Sequence, residues 1–158
     1  TKKMSNLEKA IATAVEAHMG QVDKGGSPYI LHPLRVMMSL KTEKERIVGV
    51  LHDVIEDCSD KGFDLKYLRE QGFDEQIIEA IRSITKTPEE EKLLKSLAGE
   101  ERVKAYLSVI SRAKANPIGR RVKQADIRDN MDIGRIPVLS PRDLERLTQY
   151  KEALAFLE

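Results

Sequence analysis

Apolar residues recur along this chain at three- and four-residue intervals, the spacing of one face of an α-helix. Leu7, Ile11, Ala14, Val15 and His18 form the first such stripe; Ser5-Asn6-Leu7-Glu8 has the form of a capping box at its start, and Gly20 marks its end. Gly25-Gly26-Ser27-Pro28 is loop chemistry, after which Pro33 suits the first turn of a helix carrying Leu34, Val36, Met37 and Leu40. A second capping box, Thr42-Glu43-Lys44-Glu45, opens a helix predicted to run unbroken through Ile47, Val50, Leu51, Val54 and Ile55. Shorter helices are predicted from Asp64 to about Gln71 and from Asp74 to about Thr85. Residues 86–101 are charged and helix-prone but hold few apolar anchors, and read as a surface excursion that could serve as a lid. Further helices are predicted from Arg102 to about Ala115, stopped by Asn116-Pro117, and from Pro117 through Asn130, ending near Gly134. Ser140-Pro141-Arg142-Asp143 starts the last one, with cap and first-turn proline in favoured places. Nowhere do Val, Ile and Thr alternate with polar residues over a strand's length. With no repeat and no dividing linker, residues 1–158 read as a single all-α domain.

Composition agrees with a helical protein and removes several function classes. Charged residues make up 34% of the chain, yet the formal net charge is only +1, so no global field draws it to nucleic acid or to an anionic membrane. No apolar run approaches a membrane span and the N-terminus carries no signal-peptide pattern. Cys58 is the one cysteine, which excludes an internal disulfide and fits a reducing cytoplasm; it reads as a small buried helix residue.

Against this background Leu51-His52-Asp53-Val54-Ile55-Glu56-Asp57 stands out. Three carboxylates and an imidazole within an apolar segment are costly to bury unless their charge is compensated, and a divalent cation would do so. His52-Asp53 offers a nitrogen and an oxygen donor side by side. His32, just ahead of a helix, and Asp126 would complete a set of two imidazoles and two carboxylates. Such a mixed shell suits Mn²⁺ or Fe²⁺ and lacks the thiolates of structural zinc sites. Glu56 and Asp57 then become candidates for taking a proton from a water near the cation, against the alternative that Asp57 belongs to a solvated helix end. Asn130 lies one turn beyond Asp126 and could hydrogen-bond a ligand or close the helix; Lys123, one turn before, could offer charge to a phosphate, whereas Arg120 and Arg121 read as a solvated basic face.

Three blocks, in order, resemble the HD-domain metal-dependent phosphohydrolases and, within them, the RelA/SpoT-type alarmone hydrolases. They are Ala17-His18-x-Gly20-Gln21 with Lys24 and Gly26-x-Pro28-Tyr29-Ile30-x-His32-Pro33; Leu51-His52-Asp53-x-x-Glu56-Asp57; and Ala125-Asp126-x-x-x-Asn130. The resemblance implies an HD-type helical bundle with one Mn²⁺ (or Fe²⁺ or another divalent cation) on His32, His52, Asp53 and Asp126. It implies Glu56 and Asp57 acting around the attacking water, and Lys24, Tyr29 and Asn130 lining a nucleotide pocket. The implied reaction removes pyrophosphate from the 3′ position of guanosine tetra- or pentaphosphate, in a cytoplasmic, stand-alone hydrolase without synthetase, TGS or ACT regions. The implied partner is a nucleotide, with no nucleic acid and no membrane; a homo-oligomer is left open. Two positions depart from the family. Asp23 stands where many alarmone hydrolases carry an Arg packed on guanine, and Met131-Asp132 replaces a frequent apolar-Arg pair. Both changes lower positive charge, keeping two alternatives in view: a phosphatase for another nucleotide, such as NADPH or a nucleoside monophosphate, and a non-catalytic nucleotide-binding module.

Overall fold

A capping box at Thr42–Glu45 and an unbroken apolar face make one helix, α3 (Glu43–Leu51), the centre of the molecule. Its Ile47, Val48, Val50 and Leu51 are fully enclosed by α1 (Asn6–Ala17), α2 (Leu31–Ser39) and α9 (Pro117–Asn130). The computed structural model describes residues 3–158. The remaining helices are α4 (Val54–Cys58), α5 (Leu65–Glu70), α6 (Glu75–Ile84), α7 (Pro88–Ser96), α8 (Gly99–Ala115) and α10 (Pro141–Leu157), with single 3₁₀ turns at Ser59–Lys61 and Ile133–Arg135. No strand occurs among the described residues, so the all-α expectation holds; one bridge, Val22 to Pro28, pinches the loop between α1 and α2. Helix α9 packs on α2, α3, α6, α8 and α10, which makes it the second hub of the core. Among the described residues no helix is long and apolar enough to cross a membrane. Cys58 is buried and unbridged.

The predicted starts hold where a side chain caps the helix: both halves of the capping boxes at Ser5 and Thr42 form, and Asp64, Asp74, Asn116 and Ser140 cap α5, α6, α9 and α10. Three expectations need correction. In α1 the buried face is Ala10, Thr13, Ala14 and Ala17, while Val15 faces outward, 46% exposed. Residues 86–101 are not a loose excursion. A capping box between Thr87 and Glu90 with Pro88 at the first helical position starts α7, Leu94 anchors it in the core, and Arg112 of α8 clamps Glu90 through contacts of 2.6 and 2.7 Å. Finally, the helix carrying His52-Asp53 is broken at that doublet, α3 ending at Leu51 and α4 starting at Val54. The cause is local. The Gly49 carbonyl, which the Asp53 N–H would use in an unbroken helix, instead takes the backbone N–H of His52 (3.5 Å) and its ring Nδ1–H (2.6 Å).

Candidate functional site

The break places His52 and Asp53 on a turn between two helices, where neighbouring side chains can reach one point. His52 Nε2 lies 3.0 Å from Asp53 Oδ2. From the first turn of α2, His32 brings its Nε2 to 3.2 Å from His52 Nε2 and 3.6 Å from Asp53 Oδ2. From α9, Asp126 Oδ1 stands 3.0 Å from His32 Nε2 and 3.2 Å from His52 Nε2. His32, His52 and Asp126 are buried and Asp53 is partly so. Each imidazole is turned by its other nitrogen: His52 Nδ1 donates to the Gly49 carbonyl and His32 Nδ1 sits 2.6 Å from Asp129 Oδ2. Both Nε2 atoms therefore face each other and the two carboxylates. Such a pair either shares protons with the acids or shares a cation with them, and separations near 3 Å suit donors around an ion with bonds of roughly 2.1 Å. His32, His52 and Asp53 form a group that could hold a metal ion, and Asp126 Oδ1 stands beside both imidazoles.

Further groups bear on these four. The Tyr29 hydroxyl donates to Asp53 Oδ2; Lys123 Nζ meets Asp126 Oδ2 at 3.0 Å, and Asn130 Nδ2 donates to Asp126 Oδ1 at 3.1 Å. Burial alone would raise the Asp53 and Asp126 carboxyls. The imidazole of His52 beside Asp53, and Lys123 with His52 beside Asp126, outweigh it and hold both well below the usual range. Conversely, burial would lower the His52 imidazole, but Asp53 and Asp126 raise it well above its ordinary value. Burial, with the negative charge of Asp53, lifts the Tyr29 hydroxyl upward, keeping it a donor. His18 is buried behind Tyr29, ring centres 5.0 Å apart, with Nδ1 on Gln21 Oε1 at 2.8 Å; burial lowers it and keeps it neutral.

Two cavities meet at this cluster and share Tyr29, His32, Asn130, Arg146 and Tyr150 as a common wall. One, of about 300 Å³, is walled on its apolar side by Val22, Ile133, Ile136 and Leu147. The other, of about 310 Å³, contains His52, Asp53 and Asp126 and is bordered by Lys86, Lys95, Arg102, Lys123, Arg142 and Arg146. Of the residues singled out from sequence, Lys24 lines the first cavity, its Nζ 2.8 Å from Asp143 Oδ1, and Tyr29 and Asn130 lie between the two. Glu56 lines the second, held by Lys86 through Nζ and backbone N–H, both at 3.2 Å. Asp57 is exposed and lines neither; partial burial of its carboxyl, with the charges of Asp53 and Glu56 near it, pushes it up to about 7.

Asp23 and Asp132 both border the first cavity, and each carboxylate also closes its own loop. Asp23 Oδ1 accepts the backbone N–H groups of Gly25 and Ser27, both at 2.9 Å. Asp132 accepts from Gly134 N–H and from Arg135 at 2.8 Å. Sequence reasoning missed Asp129, Arg35, Lys86, Lys95, Arg102, Arg142, Arg146 and Tyr150. Arg35, one turn beyond His32, and Asp129, one turn beyond Asp126, were open to the argument from helical spacing; Lys86 comes from the turn between α6 and α7, and Lys95, Arg102, Arg142, Arg146 and Tyr150 are brought in by the docking of α7, α8 and α10.

No family model matches the chain. Among curated relatives it is similar to a guanosine-3′,5′-bis(diphosphate) 3′-pyrophosphohydrolase of Borreliella burgdorferi, 35% identical over 51% of this chain and 12% of that protein. It is also similar to the bifunctional (p)ppGpp synthase/hydrolase of Escherichia coli, 33% identical over 53% of this chain and 12% of that protein. A GTP pyrophosphokinase of Myxococcus xanthus is 44% identical over 32% of this chain and 7% of its own length. The chain thus spans a small part of the curated relatives it matches, and over about half its own length it is similar to proteins named for making or hydrolysing guanosine alarmones.

Proposed function

We propose that this chain is a divalent-metal-dependent nucleotide phosphohydrolase, with Mn²⁺ on His32, His52, Asp53 and Asp126, and that guanosine 3′-diphosphate alarmones are its first candidate substrates. The observation that carries this reading is the meeting of four donors, from α2, the α3–α4 turn and α9, between one cavity with an apolar side and one bordered by basic side chains. When bound, a divalent cation supplies positive charge for a phosphoryl oxygen and acidifies water. The rest is done by the chain. Glu56, fixed by Lys86, accepts the proton of the attacking water; Asp57, exposed and outside both cavities, takes no part in that step. Tyr29 and Asn130 orient Asp53 and Asp126 and separate the two cavities. The nucleoside lies along the apolar side of the first cavity near Lys24, and the phosphates to be cleaved enter the basic one.

A second reading, a phosphatase for another nucleotide such as NADPH or a nucleoside monophosphate, is favoured by one feature: no arginine occupies position 23 to stack on guanine. The test is elemental analysis of the purified protein, then a nucleotide panel in Mn²⁺ that separates the released products. Pyrophosphate from a 3′-diphosphate supports the first reading and orthophosphate the second. Nucleotide binding without turnover would overturn both in favour of a binding module.

A further inference from the structure

Asp129 is a charged side chain on the far side of His32 from the proposed metal, and its bonds are unusually many. Oδ2 lies 2.6 Å from His32 Nδ1 and 3.1 Å from an Arg35 guanidinium nitrogen, while Oδ1 takes Arg35 Nε at 2.8 Å. Arg135 closes the group from the 3₁₀ turn after α9, 3.3 Å from Oδ2 and 2.9 Å from the Asp129 carbonyl. The carboxylate is 12% exposed. A carboxylate gripped by two guanidinium groups cannot rotate, so the imidazole bound to it keeps Nδ1–H toward Asp129 and the Nε2 lone pair toward the four-donor cluster. Both arginines also line the first cavity, whereas Asp129 itself does not.

We infer that Asp129 is a positioning residue that fixes the orientation of His32, and that through Arg35 and Arg135 it ties the wall of the nucleotide cavity to the grip on the metal. The inference rests on the metal reading above. A ligand that engages Arg35 or Arg135 acts on the same carboxylate that orients His32, so metal and nucleotide affinities are coupled, and coupled reciprocally.

The test compares wild type with Asp129→Ala and with Arg35→Gln, which leaves His32 and Asp129 in place. Metal-stripped protein is titrated with Mn²⁺ by calorimetry, melting curves check folding, and NMR follows the downfield ring N–H proton of His32 in the metal-free state. Asp129→Ala is expected to weaken Mn²⁺ binding by roughly 10- to 100-fold and to abolish the slowly exchanging Nδ1–H signal. Arg35→Gln is expected to weaken binding several-fold, because Arg135 remains. Mn²⁺ affinity within twofold of wild type in Asp129→Ala, or an unchanged Nδ1–H signal, overturns the inference. If instead the wild type binds no Mn²⁺, the metal reading itself fails, and the His32 proton signal alone decides whether Asp129 orients the ring.

Discussion

Removing Lys123 separates a metal centre from a self-contained network of charges. Lys123 Nζ lies 3.0 Å from Asp126 Oδ2, with the two side chains 16% and 8% exposed, while the other oxygen of the same carboxylate faces both imidazoles. At an effective dielectric constant of about 20, a pair at this distance attracts by roughly 5 kcal/mol before the cost of desolvating the ammonium is counted. Breaking a buried pair costs about 3–5 kcal/mol. Asn130 and the imidazoles remain on Asp126, which brings the expected loss for Lys123→Met in metal-free protein to roughly 2–3 kcal/mol, or about 5–10 °C in Tm for a chain of this size. With Mn²⁺ present the sign of part of the effect reverses. Lysine and cation share one carboxylate, so deleting the lysine removes a repulsive neighbour and should tighten Mn²⁺ binding by something like ~10-fold. Thermal melts in EDTA and in excess MnCl₂, with calorimetric titration, read both quantities. An equal loss of Tm in the two buffers would leave the cluster as a charge network without a cation, and Mn²⁺ binding weaker than wild type would refute the repulsion assigned to Lys123.

Three further outcomes follow from named contacts. His52→Ala is expected to lose metal retention and turnover together, whereas Glu56→Gln keeps its metal and slows hydrolysis by roughly 10²–10⁴-fold; elemental analysis beside single-turnover rates tests the pair, and a fully active Glu56→Gln would remove Glu56 from the mechanism. A Cβ at Gly25 would sit 2.5 Å from the Arg135 carbonyl, backbone that cannot swing aside, so Gly25→Ala should cost about 1–3 kcal/mol by melting and loosen the rim of the first cavity. Arg112 holds the Glu90 carboxyl down from 4.5 to about 2. A depressed carboxyl stabilises above its unfolded pKa, so the wild-type advantage over Glu90→Gln should be complete above about pH 5 and fade as pH falls toward 2. With Arg112 40% exposed, it amounts to a few tenths to about 1 kcal/mol; a difference that grows on acidification would contradict the assignment.

Much of the helical frame was legible because it is written in short-range chemistry. Ser5, Thr42, Asp64, Asp74, Asn116 and Ser140 each announce a helix by capping it, and the pattern needs no knowledge of what lies across the core. The break at His52 was not legible, since it depends on a side chain taking the Gly49 carbonyl from the backbone. The start of α7 is written in the same short-range chemistry, Thr87-Pro88-Glu89-Glu90; what composition hid is its anchoring, by Leu94 in the core and by Arg112, 22 positions away from Glu90. In the candidate site His32, His52, Asp53 and Asp126 gather, with Tyr29, Asn130 and Glu56 around them, while Asp57 stays outside both cavities; most of the basic border of the second cavity required tertiary packing to be seen. Asp23 and Asp132 mark the limit of reasoning from charge alone. Each stands as an anion at the cavity rim, and each also closes its own loop, a structural role that charge counting does not reveal.

The doublet on the α3–α4 turn and His32 lie within the first 53 residues, while Asp126 lies 74 positions beyond His52. During synthesis three of the four donors therefore leave the ribosome well before the last one exists, at some seconds' interval at ordinary elongation rates of about 5–20 residues per second. Closure of the centre waits on the docking of α9, because Asp126 must meet His52 across 74 positions of chain. Capture of a cation would then report completion of the tertiary structure, and a nascent chain stalled ahead of α9 would carry the doublet exposed and without its fourth partner.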